Sequence, residues 1–194
     1  MVTETWLSDD IPDEALYIPG FTIVRNDRST GRGGGVAIYI RETLPFKIRC
    51  EFNKSEYECL WIILRPKWLQ RLISKLALAC VYLPPSLNTE VVEGFYEYVT
   101  AFDTLISESP NASIIASGDF NPTSNGFKER VIINHCQLKQ VVKKPTKGTA
   151  ILDLILSNAH PFYVKPKVLG PIGCSDHCVI EWKSKEQLHD KNKT

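Results

Sequence analysis

Short apolar segments separated by Gly, Pro, Asn or Ser dominate the pattern of this 194-residue chain. Two of them, residues 56–65 and 113–119, are apolar at successive positions instead of alternating, which is typical of strands that are buried on both faces. Strands are predicted at residues 21–27, 35–41, 46–51, 56–65, 72–82, 113–119, 137–142, 150–157 and 177–183.

One long segment has the spacing of a helix. Apolar residues over 89–107 follow the period of an amphipathic helix, and Asn88 or Thr89 can cap its first turn. A shorter helix is predicted over 125–135. Many strands, few helices and no internal repeat together predict a layered α/β domain of packed sheets, and they argue against a doubly wound fold.

Composition narrows this picture without changing it. Apolar residues make up 43% and charged residues 23% of the chain, as in ordinary globular domains. We expect one domain over 1–183 and a polar tail over 184–194. No apolar run reaches the length of a membrane span, so no membrane association is expected.

The net charge is +1, so any nucleic-acid surface must be a local basic patch. Candidate cations are Arg25, Arg28, Arg32, Lys143, Lys144 and Lys147.

The segment Gly118-Asp119-Phe120-Asn121 places an acid and an amide at the end of an apolar strand. A rigid sheet can aim such groups at a metal ion and a phosphate, and Asp119 is a credible carboxylate for water activation or metal contact. Asn121 can hold a phosphate oxygen or orient that carboxylate. The same residues also favour an ordinary turn. The apolar strand that runs directly into them favours the functional interpretation.

A second signature, Ser175-Asp176-His177, adds an acid and a group that exchanges protons near neutral pH. Asp153 lies in the middle of an apolar strand, where an unpaired carboxylate is costly to bury. We therefore predict that Asp153 pairs with His177 and orients its imidazole. A nearby lysine or backbone amides are the alternative partners of Asp153. Together the two signatures predict metal-assisted phosphodiester cleavage.

Two other motifs are weaker. Cys174 and Cys178 flank His177, but the chain has no further Cys or His set at the spacing of a structural zinc site. The glycine run at residues 31–35 lacks the third glycine of a dinucleotide fingerprint and the Gly-Lys pair of a phosphate-binding loop. It is interpreted as a flexible turn into the strand at 35–41.

These residues resemble the endonuclease/exonuclease/phosphatase superfamily, and most of all the endonuclease domain of LINE-type (Jockey-like) non-LTR retrotransposons. Ordered blocks over residues 1–183 carry the resemblance. They are Thr3-Glu4-Thr5-Trp6-Leu7, Asp27-Arg28 with Gly33–Ile38, Val81–Pro85, Gly118–Asn121, and Leu152–Leu156 before Ser175–His177. The resemblance implies a deoxyribonuclease I-like, four-layer α/β/β/α sandwich of two mixed sheets.

The resemblance also implies roles for single residues. Glu4 is similar to the Mg²⁺ ligand of the family, with Mn²⁺ as a possible substitute, and Asp176 to a metal-linked acid. Tyr82 is similar to a tyrosine that contacts the scissile phosphate. Asn121 and Thr146 match substrate-binding positions, Thr146 by a loose alignment.

For the proton transfers, Asp119 resembles the acid that activates water or serves the leaving group. His177 resembles the base or phosphoryl stabiliser, oriented by Asp153. Which of Asp119 and His177 takes the proton of the water stays open at this point.

The expected activity is Mg²⁺-dependent nicking of DNA that leaves a 3′-hydroxyl, by a monomer that acts in the nucleus. The chain departs from the family at its front, where a first strand and helix are expected before Glu4. The reverse transcriptase domain that would accompany such an endonuclease is also missing from these residues. A catalytically impaired remnant that at most binds nucleic acid is therefore the alternative, and a phosphatase of the same superfamily is a further one.

Overall fold

The computed structural model describes residues 1–29, 31–52, 58–67, 69, 73–85, 100–121, 134 and 136–185. Its strands are β1 (Val2–Thr3), β2 (Phe21–Asn26), β3 (Val36–Arg41), β4 (Phe46–Ile48), β5 (Glu58–Leu64), β6 (Lys75–Tyr82), β7 (Ala112–Asp119), β8 (Lys139–Gln140), β9 (Asp153–Ser157), β10 (Lys167–Pro171) and β11 (Cys178–Glu181). Residues 100–108 form the α-helix α1. Short 3₁₀ helices lie at Asp13–Leu16, Cys50–Phe52 and His160–Phe162.

A six-stranded sheet in the order β4-β5-β6-β7-β9-β8 forms the centre of the molecule. β6 and β7 run parallel, and the other neighbours are antiparallel. Every residue of β5 is buried, which agrees with its continuous apolar sequence. The sheet is therefore covered on both faces.

Helix α1 covers one face of this sheet. Trp61 of β5 packs edge-on against Phe102 of α1, with the ring centroids 4.9 Å apart. Leu105, Ile114 and Leu156 belong to the same fully buried cluster. The phenylalanine and leucine are apolar positions of the predicted helix, and burying such large side chains is the main favourable term for this layer.

Two smaller sheets cover the opposite face. The first is three-stranded, in the order β1-β3-β2, and packs through Val36 and Ile38 onto Leu60 and Ile62 of β5. The second is the β10-β11 hairpin, whose Val168, Ile180 and Trp182 pack onto a cluster that includes Ile115 and Ile155. These residues pack two layers of strands against each other, so the architecture is a β sandwich with a helix on its outer face.

Between the two smaller sheets lies a groove of about 920 Å³. The residues that line it include β1 on one side, β11 on the other, and Leu78, Ile115 and Ile155 of the six-stranded sheet. Within the described ranges β1 pairs only with β3, and β11 pairs only with β10. The second β layer is therefore in two pieces, and the groove separates them.

The predicted strands are all present, although several are shorter than expected. The strand predicted over 46–51 ends at Ile48, where a 3₁₀ turn over Cys50–Phe52 follows after one residue. β10 was not predicted, because its segment contains a glycine and a proline and gains strand geometry by pairing with β11.

The helix predicted over 89–107 is confirmed where the structure describes it, at residues 100–108. The rest of that helix lies outside the described residues, and so does nearly all of the helix predicted over 125–135. No helix among the described residues is both long enough and apolar enough to cross a membrane.

Candidate active site

A row of polar side chains crosses four neighbouring strands at one end of the six-stranded sheet. Glu58 of β5 pairs in register with Tyr82 of β6, Tyr82 with Asp119 of β7, and Asp119 with Asp153 of β9. Residues directly opposite each other in a ladder point to the same face of a sheet. These four side chains therefore share the face that is covered by the smaller sheets, and Asp119 and Asp153 line the groove.

Asp119 is the most deeply buried carboxylate of the row, at 3% exposure. Burial raises the pKa of Asp119 to about 6, and the negative charges of Asp153 and Glu4 act in the same direction. The backbone N–H of Asn121, which donates to Asp119 Oδ1 over 3.1 Å, and the charge of His177 oppose this shift. A carboxyl group with this pKa exchanges protons near neutral pH.

Asp153 holds His177, as the sequence predicted. The Nδ1 atom of His177 lies 2.8 Å from Asp153 Oδ2, and both side chains are largely buried. The backbone N–H of His177 donates to Ser175 Oγ over 3.1 Å. With Nδ1 engaged, the imidazole has a defined orientation and its Nε2 atom is left for another partner.

Asp176 is placed differently from its neighbour. Its side chain is 70% exposed and forms an ion pair with Lys147, whose Nζ lies 2.8 Å from Asp176 Oδ2. The hydrogen bond from Lys147 holds the pKa of Asp176 below its ordinary value. His177 Nε2 lies 3.9 Å from Asp176 Oδ1. Asp176 therefore sits at the rim of the site, with a cation as its closest partner among the described side chains.

Tyr82 connects the row to the N-terminal residues. Its hydroxyl donates to the exposed carboxylate of Glu4, while its ring is buried. Burial, and then the hydrogen bond to Glu4, raise the pKa of Tyr82 well above its ordinary value. The phenol therefore stays protonated at neutral pH and remains a hydrogen-bond donor.

Asn121 and Thr146 are both close to the row. The side-chain amide of Asn121 donates to the Leu83 carbonyl over 3.0 Å, and its backbone N–H holds Asp119. Thr146 is fully buried, and its hydroxyl accepts the backbone N–H groups of Leu152 and Asp153, each over 3.0 Å. The Asn121 N–H contacts the Asp119 carboxylate directly, whereas Thr146 holds the backbone from which the Asp153 side chain projects. The predicted contacts of Asn121 and Thr146 with substrate stay predictions.

The oxygen chemistry of the site suits a hard divalent cation. Glu4 offers an exposed carboxylate beside Tyr82, and Asp119 is a second carboxylate whose pKa feels the charge of Glu4. Over the described ranges, no group of three or more His, Cys, Asp or Glu side chains forms a complete metal site. Mg²⁺ is commonly held by one or two carboxylates, with water and substrate phosphates as its other ligands. The residues present therefore fit such an ion.

Glu58 was missed by the sequence analysis. It begins an otherwise apolar strand, and it is only 5% exposed, so the burial of a charged group was the available signal. Its partner is Arg28, whose Nε donates to Glu58 Oε1 over 2.7 Å. The guanidinium of Arg28 also lies 5.9 Å from the centroid of the Tyr82 ring.

The backbone of this chain is similar to that of two solved structures, one of which is an endonuclease domain. The endonuclease domain of TRAS1, a telomere-specific non-LTR retrotransposon, matches with a TM-score of 0.66 and 12% identity over 89% of this chain and 83% of that domain. A functionally unknown conserved protein from Enterococcus faecalis V583 matches with a TM-score of 0.55 and 13% identity over 85% of this chain and 77% of that protein. No family model and no curated protein matches the sequence. The fold predicted from the sequence motifs is thereby confirmed: the chain has the deoxyribonuclease I-like α/β fold of a non-LTR retrotransposon endonuclease domain.

Proposed function

We propose that this chain is a nuclease that hydrolyses phosphodiester bonds of DNA with Mg²⁺ as its cofactor, and that it leaves a 3′-hydroxyl at the nick. The observation that carries the proposal is the convergence of Asp119, Asp153 and Tyr82 on one register line, with His177 held by Asp153. The endonuclease activity named for TRAS1 supports the same reaction class.

The residues divide the chemistry in a physically consistent way. Hydrolysis needs a base for the attacking water, an acid for the leaving oxygen and donors for the charge that builds on the phosphoryl oxygens. Asp119 is a carboxyl group that exchanges protons near neutral pH, and Asp153 orients the imidazole of His177 through its Nδ1 atom. Tyr82 is a permanent donor beside them.

Glu4 would hold the cation, with Asp176 at the rim as a further ligand or an outer partner, and Asp119 would stay the carboxyl group that exchanges protons. When bound, Mg²⁺ polarises a phosphoryl oxygen and neutralises charge in the transition state. This assignment also accounts for the excess of carboxylates around Asp119, because the pKa of Asp119 is raised in part by Asp153 and Glu4.

Plasmid nicking tests the proposal. Supercoiled DNA is incubated with the chain in Mg²⁺, in Mn²⁺ and in EDTA, beside a His177→Ala variant. His160→Ala is the matched control, because His160 lies in a 3₁₀ helix away from the row and its Nδ1 contacts the Ser157 carbonyl. We expect nicking by wild type and His160→Ala, and loss of about 10²- to 10⁴-fold in His177→Ala and in EDTA. Equal nicking rates for wild type and His177→Ala would disprove the proposal that this chain is a nuclease.

The ends of the nick test the predicted product. A DNA polymerase extends a 3′-hydroxyl directly, whereas a 3′-phosphate must first be removed by a phosphatase. We expect direct extension. A requirement for phosphatase treatment contradicts this part of the proposal and leaves the nuclease itself in place.

A binding role without cleavage is the second candidate. It is favoured by one observation, that Glu4 is exposed and follows a strand of two residues. Under this alternative the chain retards DNA in a gel at low salt and gives no nick in Mg²⁺ or Mn²⁺. Under either candidate function we propose DNA as the partner, the nucleus as the place of action, and a monomer as the acting form.

A further inference from the structure

The glycine run after Arg32 is packed against the site. Gly33, Gly34 and Gly35 all have positive φ angles, of 82°, 74° and 82°, and Gly34 and Gly35 are buried. Their carbonyls accept the backbone N–H groups that follow Glu4: Trp6 donates to Gly34 over 2.8 Å, and Thr5 to Gly35 over 3.2 Å. The run thus binds the segment that carries Glu4, and its last two residues are not a free turn.

An ion pair between the buried Glu58 and the partly exposed Arg28 holds this loop from the other side. The Glu58 carboxylate accepts hydrogen bonds from the backbone N–H of Gly35 and from Nε and Nη2 of Arg28. Arg28 also donates from Nη1 to the Arg32 carbonyl over 3.2 Å. Glu58 is therefore satisfied by one cation and one backbone amide, which is the condition for keeping a carboxylate buried.

Space around the loop explains why two of its positions are glycine. A Cβ atom on Gly34 would lie 2.5 Å from Arg28 Cζ and 2.5 Å from Glu58 Oε2, and one on Gly35 would lie 2.4 Å from Thr5 Oγ1. A Cβ on Gly31, whose φ is 83°, would meet nothing within 4 Å. Gly31 and Gly34 both have a positive φ, and they differ in the atoms that a side chain would meet.

The segment that carries Glu4 needs such support. β1 has two residues, and beyond it Glu4 and Trp6 have φ angles of 51° and 56°. Left-handed backbone costs a non-glycine residue about 1–2 kcal/mol and persists only where neighbouring contacts impose it. The Trp6 ring lies 3.3 Å from the Cβ position of Gly33, and the Arg32 guanidinium lies 5.3 Å from its centroid.

We propose that Arg28, Glu58, Gly34 and Gly35 form a positioning device, the glycine clamp, which fixes the Glu4 carboxylate against the Tyr82 hydroxyl. Its members are positioning residues, and the carboxylate that they position is Glu4. The role of Glu4 in metal binding rests on the proposed function, whereas the clamp itself is a statement about the N-terminal backbone. The two can therefore be tested separately.

Hydrogen exchange tests the clamp without any activity. Gly34→Ala and Gly31→Ala both place alanine at positive φ, and only the first introduces an atom into the Arg28–Glu58 pair. We expect the amides of Thr5 and Trp6 to exchange about tenfold faster or more in Gly34→Ala, and as in wild type in Gly31→Ala. Equal exchange in the two variants would overturn the proposal.

A second variant keeps the test decisive if Gly34→Ala fails to fold. The double change Arg28→Met with Glu58→Gln removes both charges and leaves no buried ion unpaired. We expect it to release the same two amides while a cooperative thermal transition is kept. Protection of Thr5 and Trp6 at the wild-type level in this variant refutes a role for the ion pair.

Metal dependence then links the clamp to the proposed function. If Glu4 binds the cation, the clamp variants need about tenfold more Mg²⁺ for half-maximal nicking and approach the wild-type rate at saturating Mg²⁺. A lower maximal rate with unchanged Mg²⁺ dependence indicates a merely structural role and contradicts positioning. If wild type does not nick at all, the proposed function fails, and the exchange comparison still decides the clamp.

Discussion

The two sides of the candidate site are built in different ways. On one side, Tyr82, Asp119 and Asp153 lie on neighbouring strands, and continuous backbone ladders connect them. On the other side, Glu4 lies just past a strand of two residues and is exposed to solvent. The first side takes its geometry from a sheet that is covered on both faces. The second takes its geometry from the glycine clamp and from one hydrogen bond to Tyr82.

This difference shows where a protein can keep an unfavourable charge. Asp119 is buried among other carboxylates, which costs stability, and the sheet supplies enough packing to hold it there. A short terminal segment such as residues 2–7, here called the arm, would instead turn such a carboxylate toward water. The arm side accordingly carries a solvated carboxylate, whose position must be imposed by contacts with Gly34, Gly35 and Tyr82.

The largest effect is expected from Asp119→Asn on the sheet side. It removes a group that exchanges protons, so nicking should fall about 10²- to 10⁴-fold. The same variant should be more stable than wild type in EDTA at pH 8. The folded-state pKa of Asp119 is raised from 3.8 to about 6, so its contribution to stability is full below pH 4 and lost as the pH rises through 6.

Urea unfolding at pH 8 and at pH 4 measures this gain. A difference on the order of 1–3 kcal/mol in favour of Asp119→Asn is expected at pH 8, and it should shrink toward pH 4. Asp10→Asn, at an exposed position, is the control. Equal stability of Asp119→Asn and wild type at both pH values would show that ionising the buried Asp119 carboxyl costs no stability.

A smaller effect is expected from Asp153→Asn. The imidazole of His177 loses the carboxylate that fixes its tautomer and orientation, so nicking should fall about 10- to 100-fold. Adding His177→Ala to Asp153→Asn should cost little more than His177→Ala alone, and additive losses would separate the two residues.

On the arm side, Glu4→Gln should act chiefly through the metal. We expect about a tenfold increase in the Mg²⁺ concentration for half-maximal nicking. The combination of Glu4→Gln with Gly34→Ala should be no worse than Glu4→Gln, since the clamp acts through that carboxylate. Glu14→Gln, at an exposed position in a 3₁₀ helix, is the control. A Mg²⁺ dependence that is unchanged in Glu4→Gln contradicts its assignment as a ligand.

The smallest effect on the chemistry is expected from Thr146→Val. Its hydroxyl is the acceptor of the Leu152 and Asp153 amides, so valine leaves two buried donors without a partner. The free energy of unfolding should fall by about 1–3 kcal/mol or more, with only a modest loss of nicking at low temperature. Thr22→Val, at an exposed position of β2, is the matched control. If Thr146→Val instead abolishes nicking at full stability, Thr146 contacts the substrate.

Much of the fold was predictable because its signals are local. The strand β5 is marked by a continuous apolar run and β7 by the shorter run Ile114–Ala116, and the helix at 100–108 continues an amphipathic pattern. The pairing of Asp153 with His177 was also predicted, because a carboxylate in an apolar strand is costly to bury without a partner. β10 could not be predicted in this way, since its strand geometry comes from pairing with β11.

The sequence by itself therefore determined most of the strands, which carboxylates are too costly to bury unpaired, and the fold class. The tertiary structure alone decided that Glu58, Tyr82, Asp119 and Asp153 share one register line, because register between distant strands is set by packing of the whole sheet. It also decided that the glycine run holds the arm, since Arg28 and Glu58 meet only after the sheets pack.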